Sequence, residues 1–112
     1  MASSSESGRT RLVELDENNY GHWQPHTRAW VRRQNGIAHI EPPSGVSNPP
    51  VFVNDPGGLL LKAAWEKDDN TIAGYLLSTL TLTQKQHITD QDATAATIWQ
   101  ILETVHRRKG FT

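Results

Sequence analysis

The chain has 112 residues, with 11 Lys plus Arg against 12 Asp plus Glu, a formal net charge of -1 and no cysteine. That length suits one small domain burying roughly two-thirds of its unfolded surface, and the missing thiols exclude disulfide frameworks, cysteine zinc sites and cysteine nucleophiles. The near-neutral balance excludes a global basic bias toward phosphate backbones, and the absence of any run of about 18 apolar residues, or of a secretory pattern at Met1 to Arg11, leads us to expect a soluble, cytoplasmic domain without a membrane partner.

Residues 1–11 are Ser-rich and without periodicity, the composition of a disordered tail; residues 12–112 are expected to form one helical domain. Leu12-Val13-Glu14-Leu15 reads as a strand-like lead-in that packs against the helices. Asn18 or Asn19 can cap the first helix, since the side-chain oxygen of an N-cap residue accepts from a first-turn amide. Tyr20, Trp23, Thr27, Trp30, Val31 and Gln34 then follow helical spacing. Trp23 and Trp30, two of four tryptophans, stand seven residues apart, which puts both indoles on one face. Pro25 removes a backbone donor, so a kink or a regular part starting near Trp23 is expected, and Gly36 is read as the stop. Ile37 to Ile40 form one more apolar turn or an extended piece. Pro42, Pro43, Gly45, Pro49 and Pro50 make a long loop, anchored to the body by Val51, Phe52 and Val53.

Asp55-Pro56-Gly57-Gly58 opens the longest helix, with a cap at Asp55 and proline at the first helical position. Its inner stripe is predicted at Leu61, Ala64, Trp65, Asp68, Ile72, Tyr75, Leu76 and Thr79, over roughly 35 Å at about 1.5 Å per residue. Asp68 is expected at the boundary with its carboxylate in water. Thr83-Gln84-Lys85-Gln86 fits a capping box for a short helix to about Thr89. Asp92 or Thr94 caps the last helix, whose inner face is Ala95, Ile98, Trp99, Leu102 and Val105 and whose end, His106-Arg107-Arg108-Lys109-Gly110, is cationic with a glycine stop. The predicted fold class is therefore all-α: a small bundle of about four to five helices, with a long proline-rich loop between the first and second main helices.

No catalytic, metal or cofactor residues emerge, and an enzyme is not expected. His22 and His26 are four apart, but no Glu follows His22, Pro25 distorts the turn between them and no third ligand is in sight. His39, His87 and His106 lie on three separate segments without a triad pattern. Glu66, Asp68, Asp69, Asp90 and Asp92 read as solvated helix faces. Arg28, Arg32 and Arg33, and likewise Arg107, Arg108 and Lys109, read as complements to helix C-terminal dipoles rather than a phosphate grip. The tryptophans read as core, because their stripe lacks the interleaved Lys and Arg of a base-stacking platform.

Leu15-x-x-x-Asn19-Tyr20-x-x-Trp23, a proline-rich loop, a helix carrying Trp65 and Leu76-Leu77-Ser78-Thr79-Leu80, and Ala93-Thr94-Ala95-Ala96-Thr97-Ile98-Trp99-Gln100-Ile101-Leu102 follow one another in an order that resembles the Gag polyprotein of Copia-type LTR retrotransposons. The resemblance spans about Leu12 to Phe111 and rests on joint order and spacing, since each motif alone is short. It implies the N-terminal lobe of a capsid protein, all-helical, whose family members self-associate into virus-like particle shells around the element's RNA. Tyr20, Trp23 and Trp99 would hold the helices together, with Trp30, Trp65, Leu76, Ile98 and Leu102 completing the core. The family pattern continues into a second lobe, and no zinc knuckle follows Phe111; the chain is expected to be either a fragment of a longer Gag or a shortened, host-adopted derivative, with RNA bound through other regions of the parent Gag. The expected partner is a second copy, held weakly. Val51 and Phe52, apolar in an otherwise polar loop, together with Arg28 and Arg32, are the candidate interaction surface. The alternatives are a domesticated Gag-derived adaptor that binds a protein in a groove between helices, and a small nucleic-acid-binding domain, which needs the two basic clusters to converge.

Overall fold

A computed structural model describes residues 12–90 and 92–108; the expected tail at 1–11 and the last four residues lie outside the described residues. The architecture is all-α, with five helices in the order α1 (Tyr20–Arg33), α2 (Ile37–Ile40), α3 (Pro56–Ser78), α4 (Leu82–Lys85) and α5 (Ala95–Arg108). Among the described residues none of these helices is long and apolar enough to cross a membrane. α5 packs against α3 and α2, and α1 against α2.

The lead-in pairs with the α3–α4 connection through an isolated parallel bridge between Leu15 and Leu80. The Leu15 amide donates to the Thr79 carbonyl at 2.7 Å, and its carbonyl accepts from the Thr81 amide at 3.2 Å and the Thr81 hydroxyl at 2.9 Å. Asn19 precedes α1 at the cap position, yet its side chain makes no capping bond. It folds the lead-in instead, accepting from the Asp16 amide and donating to the Glu14 carbonyl. α1 passes through Pro25 without the start defect expected there. The carbonyl that loses its donor belongs to Gly21, which is exposed, so water can serve it.

α1 ends on Asn35 rather than Gly36. Asn35 takes the left-handed turn at φ 58°, with Asn35 N donating to Arg32 O and Gly36 N to Val31 O, the paired bonds of a Schellman stop. Gly36 serves a different need: a Cβ there would meet Ile72 Cδ1, so the corner after α1 sits close on α3 and any side chain there would require Ile72 to move. α3 starts as predicted, with Asp55 Oδ1 accepting from Gly58 N at 2.6 Å and Pro56 in the first turn. α4 begins at Leu82, ahead of the predicted capping box, and the hydroxyl of Thr81 at its cap position donates to the Leu15 carbonyl instead of capping the helix. Thr94 Oγ1 accepts from Thr97 N at 3.3 Å and opens α5.

Trp23 is fully buried at the centre, with ring centroids 5.4 Å from Trp99 and 5.8 Å from Tyr20. Its indole N–H donates to Thr79 Oγ1 at 3.1 Å, and that hydroxyl donates to the Leu76 carbonyl, so both buried polar groups are satisfied. Leu15, Leu76, Ile98 and Leu102 are also fully buried. Two expected core indoles are only half-buried: Trp30 stacks on Tyr75 with centroids 3.7 Å apart, and Trp65 lies against His39 at 5.1 Å. At the other end of the stripe His106, read as part of a cationic terminus, is fully buried, while Val105 is half-buried. His106 stacks on Tyr20 at 4.7 Å and places Nε2 2.8 Å from Gln84 Oε1.

Candidate assembly surface

The first three turns of α3 carry the largest departure from the predicted packing. Leu61 and Ala64 were expected inside and are exposed. Leu59, Leu60 and Leu61 are 53%, 74% and 64% exposed, and Val51 and Val53 in the preceding loop 89% and 70%. A helix segment that is apolar on most of its circumference is normally covered. Here only Gly58 is buried between Pro56 and Ala64.

Gly58 explains why these residues act as one unit. A Cβ at that position would collide with the carbonyl of Val53, so the loop backbone lies directly on the helix. The Val53 carbonyl also accepts from Asp55 N at 2.9 Å. The two valines and three leucines are therefore carried on a single braced end, and their exposures sum to roughly 600 Å², spread over the loop and more than one side of the helix.

The four residues proposed from sequence as an interaction surface differ in their settings. Val51 is almost wholly exposed, whereas Phe52 is half-buried, and Val53, expected to anchor the loop, faces out. Arg28 is tied to Glu41 by two bonds of 2.8 Å, Nε to Oε2 and Nη2 to Oε1. That pair holds the Glu41 carboxyl below its ordinary value and the Arg28 guanidinium above its own. Arg32 is exposed in the last turn of α1. In the other cluster Arg107 is paired with Glu103 at 2.7 Å.

A buried polar joint was missed from sequence. Asp69, grouped with solvated acids, is 4% exposed; its Oδ1 lies 3.0 Å from His39 Nδ1 and its Oδ2 accepts from Ala95 N at 3.3 Å. One carboxylate thus ties α2, α3 and the start of α5. Spacing admits either neighbour, Asp68 at i+3 and Asp69 at i+4 from Trp65; the burial of Ala73 and Leu76 turns the inner face toward Asp69. Asp68 is exposed, as expected. The rings of His22 and His26 are 6.1 Å apart, and among the described residues no three His, Asp or Glu side chains are grouped to hold a metal ion.

No family model, curated protein or solved structure matches this chain.

Proposed function

We propose that this chain is a structural self-assembly domain of a retrotransposon Gag capsid, forming part of a virus-like particle shell that packages element RNA, and that it has no enzymatic role. The observation that carries the reading is the uncovered apolar end of α3 with Val51 and Val53. A patch of this size, held on a braced helix and loop, is what a repeated contact between copies needs, because the hydrophobic gain is available without first ordering the surface. The ordered motifs around Tyr20, Trp23 and Trp99 support the Gag assignment, and their Tyr20, Trp23, Leu76, Ile98, Trp99 and Leu102 lie in the core while the apolar end lies outside it.

Light scattering over a concentration series tests this. The weight-average mass should rise with concentration, and Leu60→Glu should suppress the rise while Leu82→Glu, at a residue 76% exposed elsewhere, should leave it. A mass that stays at one chain throughout refutes self-assembly by this domain.

A second reading, the Gag-derived adaptor, is favoured by one feature. A cleft of about 530 Å³ lies beside α5, lined by Gln24, Ile40, Asn48, Trp99 and Gln100 among others. Asn48, on the cleft wall, has its Oδ1 buried without a hydrogen-bond partner among the described residues, an acceptor that an extended peptide could reach once the side chain turns into the cleft. A strictly monomeric domain that binds peptides in this cleft would select the adaptor.

A further inference from the structure

The structure assigns Asn35 as a site of spontaneous deamidation that the α1 stop holds in check, a reading that does not depend on how copies meet. Of the six asparagines in the chain, only Asn35 is followed by glycine. A side-chain amide ahead of glycine is the most labile kind, because no Cβ on the next residue obstructs attack by its backbone nitrogen. In that step the Gly36 nitrogen loses its proton, bonds to Asn35 Cγ and expels Nδ2 as ammonia, closing a five-membered succinimide. Water then opens one of the two ring carbonyls. The product is aspartate, or isoaspartate whose main chain runs through Cγ. One water is consumed and one ammonia released, and no oxidant or reductant is needed.

Asn35 is exposed and holds the left-handed turn at φ 58°, so water reaches its side chain. The attacking residue is the part that is restrained. Gly36 N donates to Val31 O at 3.0 Å, and Gly36 O accepts from His39 N at 2.8 Å. Gly36 is also buried, close against Ile72. A nitrogen whose hydrogen is engaged and whose chain is fixed cannot turn onto Cγ, so conversion waits for the stop to open, as helix ends do at less cost than global unfolding. Either product then weakens the corner. Each adds a carboxylate just past α1, at the negative end of the helix, and Asp68 lines the same recess of about 300 Å³. Isoaspartate also inserts a backbone atom between Asn35 Cα and Gly36 N. The Arg32 and Val31 carbonyls then no longer face successive amides, the paired bonds of the stop cannot re-form, and the corner on Ile72 is left loose.

The test incubates the full chain at mildly alkaline pH, folded in buffer or unfolded in guanidinium chloride. Peptide mapping by mass spectrometry follows the mass gain at each asparagine and separates aspartate from isoaspartate. In guanidinium chloride Asn35 should convert ahead of every other asparagine, and in the folded chain it should convert more slowly by roughly tenfold or more. Asn35→Gly keeps the left-handed turn without an amide and should gain no mass at this site. The isoaspartate form, purified and refolded, should melt lower by roughly 4 °C or more, while Asn35→Gly carried through the same treatment melts as it did before. Another asparagine converting first in guanidinium chloride overturns the assignment. Equal rates in the folded and unfolded chain overturn the protection by the stop, and an isoaspartate form that melts like the untreated chain overturns the consequence for the corner.

Discussion

Replacing Asp69 by alanine should destabilise the domain by about 3 kcal/mol. The carboxylate makes two bonds, one at 3.0 Å to the His39 imidazole and one at 3.3 Å to the Ala95 amide. A hydrogen bond to a charged group contributes about 1.5 to 3 kcal/mol, and the longer bond at the head of α5 acts as a cap worth about 0.5 to 1 kcal/mol. Alanine also leaves the imidazole, 11% exposed, without its carboxylate. Against a total stability of about 5 to 15 kcal/mol for a domain of this size, the loss should lower the melting temperature by roughly 12 °C, at about 4 °C per kcal/mol. Urea unfolding followed by tryptophan fluorescence is the assay, with Asp68→Ala as the exposed neighbour expected to change stability by less than about 0.5 kcal/mol. Asp69→Ala matching Asp68→Ala would refute the argument that this carboxylate joins three helices.

Trp23→Ala should cost about 3 to 5 kcal/mol, since it empties the centre and strands Thr79, whereas Trp30→Ala, which loses one stacked ring and half-buried surface, should cost about 1 to 2 kcal/mol; equal losses in urea would contradict the difference in burial. Gly36→Ala should cost about 1 to 3 kcal/mol because its methyl meets Ile72 Cδ1, and a companion Ile72→Val should recover part of that in a double-mutant cycle. The Tyr20 phenol is pushed up to about 12, chiefly by burial and further by Glu103, with Arg107 opposing. Its folded value lies above the unfolded value of 10.0, so its contribution, up to about 3 kcal/mol, is complete below pH 10 and is lost as pH rises from there through about 12. Absorbance titration should show no phenolate from Tyr20 at pH 10.5 while the protein stays folded; ionisation there without unfolding would contradict the buried stack on His106.

The helix pattern was legible because apolar residues recur at helical spacing and because Asp55-Pro56 and Thr94 carry their own start chemistry. Trp23, Ile98, Trp99 and Leu102 fell out of the same periodicity. What periodicity cannot say is which stretch of a long apolar stripe finds a partner. The leucines at 59 to 61 are as apolar as Ile72 and Leu76, but α5 covers α3 only farther along, so the first turns stay bare. Polar residues in register with the stripe were misread for a related reason. Asp69 and His106 look like solvated charge until the imidazole of His39 and the amide of Gln84, distant in sequence, are brought beside them. Gly36 was read as a helix stop when the left-handed turn belongs to Asn35 and the glycine makes room for Ile72.

The central claim, that the bare end of α3 is where copies meet, is tested most directly by backbone amide spectra of the isotope-labelled chain recorded from low micromolar to near-millimolar concentration. Leu59 to Ala64, with Val51 and Val53, should shift and broaden progressively, while Trp23, Ile98 and Leu102 hold still. Spectra that superimpose at every concentration, or changes confined to α5 and the cleft beside it, would contradict it.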